Sequence, residues 1–187
     1  MIEKYQNKYR IASARLQNWD YASEGAYFIT ICTKDRRHYF GAVKNGIMVL
    51  SNAGVIANLM WYEIKNHGKN VELGEFIVMP NHVHGILILN DIANLDPGLN
   101  IETGHALSLK SPGQQRFQNQ GKNTVSSIIG SYKSAVTKHC NRLGFESGWQ
   151  TRFYDHIIRD GRAFENISNY IINNPAKWDI DKFYMNE

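Results

Sequence analysis

The sequence predicts an α+β fold, an antiparallel sheet with helices packed on one face. Three observations carry this. Two apolar runs, 71–79 and 82–90, adjoin with only Pro80-Asn81 between them, the mark of neighbouring antiparallel strands. Two stretches near 52–66 and 125–142 repeat apolar residues at helical spacing. Each stretch separates one strand-like run from the next.

Residues 27–33, Tyr-Phe-Ile-Thr-Ile-Cys-Thr, are dense in strand formers and predict a buried strand, ended by Lys34-Asp35-Arg36-Arg37. Residues 38–43 and 47–50 predict a hairpin, with Asn45-Gly46 supplying the turn. Ser51 or Asn52 caps the helix over 52–66, whose stripe is Val55, Ile56, Leu59, Met60 and Ile64. The strands 71–79 and 82–90 follow. Thr124 caps the helix over 125–142, with Val125, Ile128, Ile129, Tyr132, Val136 and Cys140 as its stripe and Gly144 as its stop. A short strand over 153–158 and a helix over 162–173 complete the order, with Asp160 as cap and Pro175 as stop. This order is most simply a ferredoxin-like sandwich.

The length of 187 residues suits one domain spanning 1–187. Within it, 1–20 is a basic N-terminal tail in which Lys4, Lys8, Arg10 and Arg15 interleave with Tyr5 and Tyr9. Residues 91–123, punctuated by glycines and Pro97 and Pro112, are a long insertion without periodicity. Residues 179–187 form a C-terminal tail. No apolar run is long enough to span a bilayer, and the N-terminus lacks the apolar centre of a signal peptide. Two cysteines, Cys32 and Cys140, make neither a disulfide framework nor a zinc knuckle, which fits a reducing cytoplasm. The net charge of +4 is a mild bias toward polyanionic partners.

The chemistry centres on Met79-Pro80-Asn81-His82-Val83-His84. Side chains alternate along a strand, so His82 and His84 share a face and Val83 takes the other. Two imidazoles one strand repeat apart can grip one metal ion. On the last helix Phe164, Ile167, Tyr170 and Ile171 share an inward face, and Asn174 follows Tyr170 by one turn. If that helix crosses the histidine strand, the site holds two imidazoles, an amide oxygen and a phenol. Neutral imidazoles and an amide oxygen suit a divalent cation with open positions for phosphate oxygens. A tyrosine hydroxyl beside it suits nucleophilic phosphodiester cleavage. No Gly-x-x-x-x-Gly-Lys-Ser/Thr loop is present, so nothing points to nucleoside triphosphates.

These residues resemble a known family. Residues 79–84 are similar to the His-hydrophobic-His (HUH) motif of single-tyrosine transposases. Residues 149–160, Trp-Gln-Thr-Arg-Phe-Tyr-Asp-His-Ile-Ile-Arg-Asp, and 170–178, Tyr-Ile-Ile-Asn-Asn-Pro-Ala-Lys-Trp, resemble the REP-associated tyrosine transposases within that group, as does the helix around 131–134. The resemblance implies an RRM-like fold with the histidine pair on a central strand. It implies His82, His84 and Asn174 as metal ligands, Tyr170 as nucleophile, and Mg²⁺ or Mn²⁺ as cofactor. It implies single-stranded DNA with a palindromic hairpin as substrate, cleaved to a 5′-phosphotyrosine and a free 3′ hydroxyl. Relatives with Gln as third ligand have a longer side chain than Asn174.

Tyr154 also falls within a matching motif and is the rival nucleophile. Lys133, Arg152 and Arg159 are candidate DNA contacts. The sequence leaves open a monomer or a homodimer. It also leaves open a non-catalytic nucleic-acid-binding module on the same fold, or a metal phosphoesterase acting on small substrates.

Overall fold

The computed structural model describes residues 23–68, 70–90 and 124–184. The basic tail at 1–20 and the insertion at 91–123 therefore lie outside the described residues. The described chain runs β1 (Gly25–Cys32), β2 (Gly41–Lys44), β3 (Ile47–Leu50), α1 (Asn52–His67), β4 (Val71–Met79), β5 (His82–Leu89), α2 (Val125–Leu143), β6 (Tyr154–Ile158) and α3 (Gly161–Ile172). Four strands form one sheet in the order β4-β5-β1-β6, with every neighbouring pair antiparallel. With α1 between β1 and β4 and α2 between β5 and β6, this is the predicted ferredoxin-like arrangement. The β2–β3 hairpin stands apart from the sheet. Its turn residues Asn45 and Gly46 both take positive φ, 53° and 72°, as a tight hairpin turn requires.

The predicted caps operate. Ser51 Oγ accepts from Gly54 N at 3.1 Å, Thr124 Oγ1 from Ser127 N at 3.2 Å, and Asp160 Oδ1 from Ala163 N at 2.8 Å. Gly144 ends α2 in the left-handed region, φ 75°. Three elements differ from the sequence expectation. The hairpin begins at Gly41 and not at 38, because Phe40 turns inward to full burial against Trp149 and its amide bonds the Pro80 carbonyl. Short 3-10 turns occupy Lys34–Arg36 and Pro175–Ile180, where the periodicity showed none.

The sheet divides the interior. On one face Tyr27, Ile29, Ile31, Val83 and Leu87 pack with Trp61 of α1 and with Ile129, Tyr132 and Val136 of α2, all buried. Gly85 lies on this face because the Trp61 indole occupies the space a side chain would need. On the opposite face α3 lays Phe164, Ile167 and Ile171 over Ile86 and Ile158. The helix pair α1 and α2 thus supplies the main core, and α3 crosses the face that carries His82 and His84. Among the described residues no helix is long and apolar enough to cross a membrane. Cys32 and Cys140 are both buried and free.

Candidate functional site

The period of β5 sets the histidines. His82 pairs with Cys32 and Met79, and His84 with Thr30 and Ile77, so both imidazoles project from the α3 face. Their rings lie 4.4 Å apart by centroid and are buried to within 1% of exposure. Asp160 starts α3 and the apolar stripe seats it, which brings Tyr170 over this pair. Tyr170 Oη lies 3.2 Å from His84 Nε2. Asn174 sits just beyond the end of α3, with its amide bonded to the Ile171 carbonyl and its side chain buried. The four residues picked out by sequence thus converge within one chain.

The hydrogen bonds decide which atoms are free. A backbone carbonyl only accepts, so Asn81 Nδ2, 2.8 Å from Phe183 O, must be the donor end of that amide. Asn81 Oδ1 is therefore the acceptor for His82 Nδ1 at 2.9 Å. His82 Nδ1 carries the proton, and Nε2 is the bare lone pair. That Nε2 is buried and has no hydrogen-bond partner. His84 Nδ1 lies 2.9 Å from Thr30 Oγ1, which leaves its Nε2 facing Tyr170. Asn174 Nδ2 donates to Asp181 Oδ2 at 3.0 Å, and Asn174 Oδ1 is buried and unpartnered. Buried polar atoms without partners are costly, so these two ask for an explanation. An imidazole lone pair, a second imidazole and an amide oxygen form a donor set that fits a divalent cation. Among the described residues no group of three or more His, Cys, Asp or Glu side chains forms an alternative metal site.

The electrostatics agree with that donor set. Burial, then the neighbouring His84, Arg36 and Lys182, hold the His82 pKa well below its ordinary range. Burial and then Lys182 bring His84 down to about 3, against a small opposing effect from the Ile29 backbone. Both imidazoles are neutral at physiological pH and keep lone pairs to donate. Burial, followed by the Asp181 carboxylate, pushes the Tyr170 phenol up to about 12. In the metal-free protein this phenol is protonated.

A cleft of about 400 Å³ opens beside these groups, lined by Phe28, Tyr154, Tyr170, Asn174, Lys177 and Asp181 among others. Tyr170 is 40% exposed there. Tyr154 pairs with Thr30 on β6 and so shares the histidine face, but the Phe28 ring lies between. Phe28 is 5.3 Å from the His84 ring and 6.4 Å from the Tyr154 ring. Of the two candidate nucleophiles, it is Tyr170 whose hydroxyl meets an imidazole.

The remaining candidates divide. Lys133 Nζ lies 2.7 Å from the Gln150 carbonyl and within 3.5 Å of those of Thr151 and Arg152. Its ammonium holds the approach to β6. Arg152 and Arg159 are exposed on either side of β6. Sequence reasoning missed Asp181 and Phe183. Residues 181–184 belong to the stretch assigned to a tail, yet Phe183 is buried with its ring 4.6 Å from His82. The Arg36 guanidinium lies over the Phe183 ring, 4.4 Å from its centre. No strand or helix period joins Asp181 to Asn174 across the Pro175–Ile180 turn, so no sequence signal marked it.

No protein-family model matches the chain. A Haemophilus influenzae protein, described as uncharacterized, is 34% identical over 174 residues, covering 92% of this chain and 92% of its own. A solved structure of a REP-associated tyrosine transposase bound to a REP hairpin aligns with a TM-score of 0.57 at 20% identity. The alignment covers 89% of this chain and 74% of that one, and the likeness is one of fold.

Proposed function

The chain belongs to one family with the Haemophilus influenzae protein and has the fold of the REP-associated tyrosine transposase, and on that premise we propose that it cleaves and rejoins single-stranded DNA beside a hairpin. The observation that carries this reading is the Tyr170 hydroxyl 3.2 Å from His84 Nε2, and the unpartnered His82 Nε2 and Asn174 Oδ1 support it. His82, His84 and Asn174 would hold Mg²⁺ or Mn²⁺. Bound there, the ion would neutralise charge on the scissile phosphate and favour the phenolate of Tyr170.

Tyr170 Oη attacks the phosphorus, forming an oxygen–phosphorus bond as the bond to the upstream 3′ oxygen breaks. The phenol proton passes to water in the open cleft, and the departing 3′ oxygen takes one up. The products are a 5′-phosphotyrosine and a free 3′ hydroxyl. Attack by a 3′ hydroxyl on that phosphotyrosine restores a phosphodiester and frees Tyr170. The covalent link conserves the bond for rejoining, so the reaction needs no nucleoside triphosphate.

The cleft suits a single strand. Phe28 and the exposed Tyr154 offer aromatic surfaces for bases, and Lys177 and Lys182 line the rim for phosphates. The hairpin comes to this chain from the structural neighbour, whose partner is a REP hairpin. Tyr170 Oη lies beside His84 of its own chain, which supports a nucleophile acting in cis.

The test is a cleavage assay with Mn²⁺ on single-stranded oligonucleotides that carry a hairpin. The expected product is a denaturant-stable protein–DNA adduct that EDTA prevents, that maps to Tyr170, and that is lost in Tyr170→Phe. Hairpin binding without cleavage would make the chain a binding module. Cleavage to free products without an adduct would make it a phosphoesterase, and an adduct on Tyr154 would move the nucleophile.

A further inference from the structure

We infer that Asp181 is a positioning residue that turns the Asn174 amide oxygen toward the histidines. The inference rests on the cation reading above. An amide offers two ends of nearly equal size, and only the oxygen can ligate a cation. The chain therefore needs a device that chooses the end. Asp181 Oδ2 lies 3.0 Å from Asn174 Nδ2 and, ionised, can only accept. The NH₂ end is thereby drawn to Asp181, and Oδ1 is left buried and without a partner. A flipped amide would set oxygen against carboxylate oxygen.

Asp181 is itself fixed. Its Oδ1 accepts from Phe183 N at 2.7 Å, closing a local turn through its own side chain. Its Oδ2 also lies 3.4 Å from Tyr170 Oη, so one carboxylate oxygen touches both the amide and the phenol. The same turn presents the Phe183 carbonyl that orients Asn81 and so sets the His82 tautomer. One short stretch behind the 3-10 turn thus arranges two of the donors. Outer hydrogen-bond partners of this kind fix ligand orientation in metal sites.

The experiment measures Mn²⁺ binding to the full chain, with free Mn²⁺ followed by electron paramagnetic resonance. Asp181→Ser keeps an oxygen for the Phe183 amide but falls short of Asn174, so the turn persists and the positioning is lost. Its affinity should drop about tenfold, the low end for losing such a partner. Asp181→Asn has one oxygen for two donors, Phe183 N and Asn174 Nδ2, so with that oxygen on Phe183 it turns an NH₂ toward Asn174 and should lose as much as Asp181→Ser. In an Asn174→Ala background Asp181→Ser should cost nothing further, because its effect passes through the amide. Wild-type affinity in a folded Asp181→Ser, or an equal loss with and without Asn174, would overturn the inference. A wild-type chain that binds no Mn²⁺, or a His82→Ala variant that binds it unchanged, would instead overturn the cation reading and this inference with it.

Discussion

Asn81 Oδ1 lies 2.9 Å from Nδ1 of His82, and the other end of the same amide is held by the Phe183 carbonyl. This relay converts a backbone carbonyl into a choice of imidazole tautomer. Asn81→Leu should break it. The variant leaves the Phe183 carbonyl and His82 Nδ1 without partners in the interior, which costs about 1–3 kcal/mol of stability. It also frees the imidazole to carry its proton on Nε2, the nitrogen that would face a cation. Mn²⁺ affinity should fall about 10- to 100-fold, as for other lost outer partners of metal-site histidines. Urea denaturation reads the first effect and calorimetric titration the second.

The neutral imidazoles make stability depend on pH. His84 ionises near 6.5 when unfolded and at about 3 when folded, so between these values the unfolded chain binds the extra proton. Stability contributed here is complete above pH 6.5 and is lost progressively as the pH falls toward 3. His82 acts in the same direction. Between pH 7 and pH 5 one such histidine removes on the order of 2 kcal/mol. Urea midpoints should therefore drop over that interval in the metal-free protein, and His84→Gln should flatten the dependence. A midpoint that rises on acidification would show the imidazoles to be charged in the folded state.

The four convergent side chains were legible because each obeys a local period. His82 and His84 are one strand repeat apart, and Tyr170 and Asn174 are one helical turn apart, so short-range geometry groups each pair. The strand order needed only the tight Pro80-Asn81 link and helices long enough to cross the sheet. Three features escaped. Asp181 and Phe183 reach the site through a 3-10 turn with no period, and what places them is the packing of Trp178 and Phe183 against Cys32 and Met79. The three carbonyls that Lys133 Nζ bonds lie more than fifteen residues onward, beyond any helical or strand period. The inward turn of Phe40 depends on Trp149, over a hundred residues away in the chain. Contacts of that range leave no mark in composition or spacing.

Tyr154 should separate binding from chemistry. Tyr154 is 49% exposed beside the cleft, and its ring lies across Phe28 from the histidines. As a surface for a base, its removal in Tyr154→Ala should weaken single-strand binding by about 1–3 kcal/mol. Tyr154→Phe keeps the ring and should bind as wild type does. Both variants should still form the adduct at saturating DNA, since neither touches Tyr170. Fluorescence anisotropy with a labelled oligonucleotide measures binding, and a denaturing gel counts the adduct. Loss of the adduct in Tyr154→Phe would transfer the nucleophile to β6.

Gly85 directly follows the His-x-His motif, and its place there is a matter of packing and not of chemistry. Odd-numbered residues of β5 face α1 and α2, so Gly85 points away from the imidazoles of His82 and His84. The Trp61 indole fills the space beside it, itself stacked on Phe76 with rings 5.5 Å apart and edge-on to Tyr132 at 5.3 Å. A methyl group at Gly85 would meet three atoms of that indole, which has no room to retreat within this aromatic stack. Gly85→Ala should therefore destabilise the fold by about 1–3 kcal/mol, the usual cost of overpacking a filled core. The folded fraction should still bind Mn²⁺ with wild-type affinity, because the strain falls on the far side of the sheet. Urea midpoints and Mn²⁺ titration on the same preparation test both halves: unchanged stability would show that Trp61 can yield, and lost affinity in folded protein would show that β5 transmits the strain to the histidines.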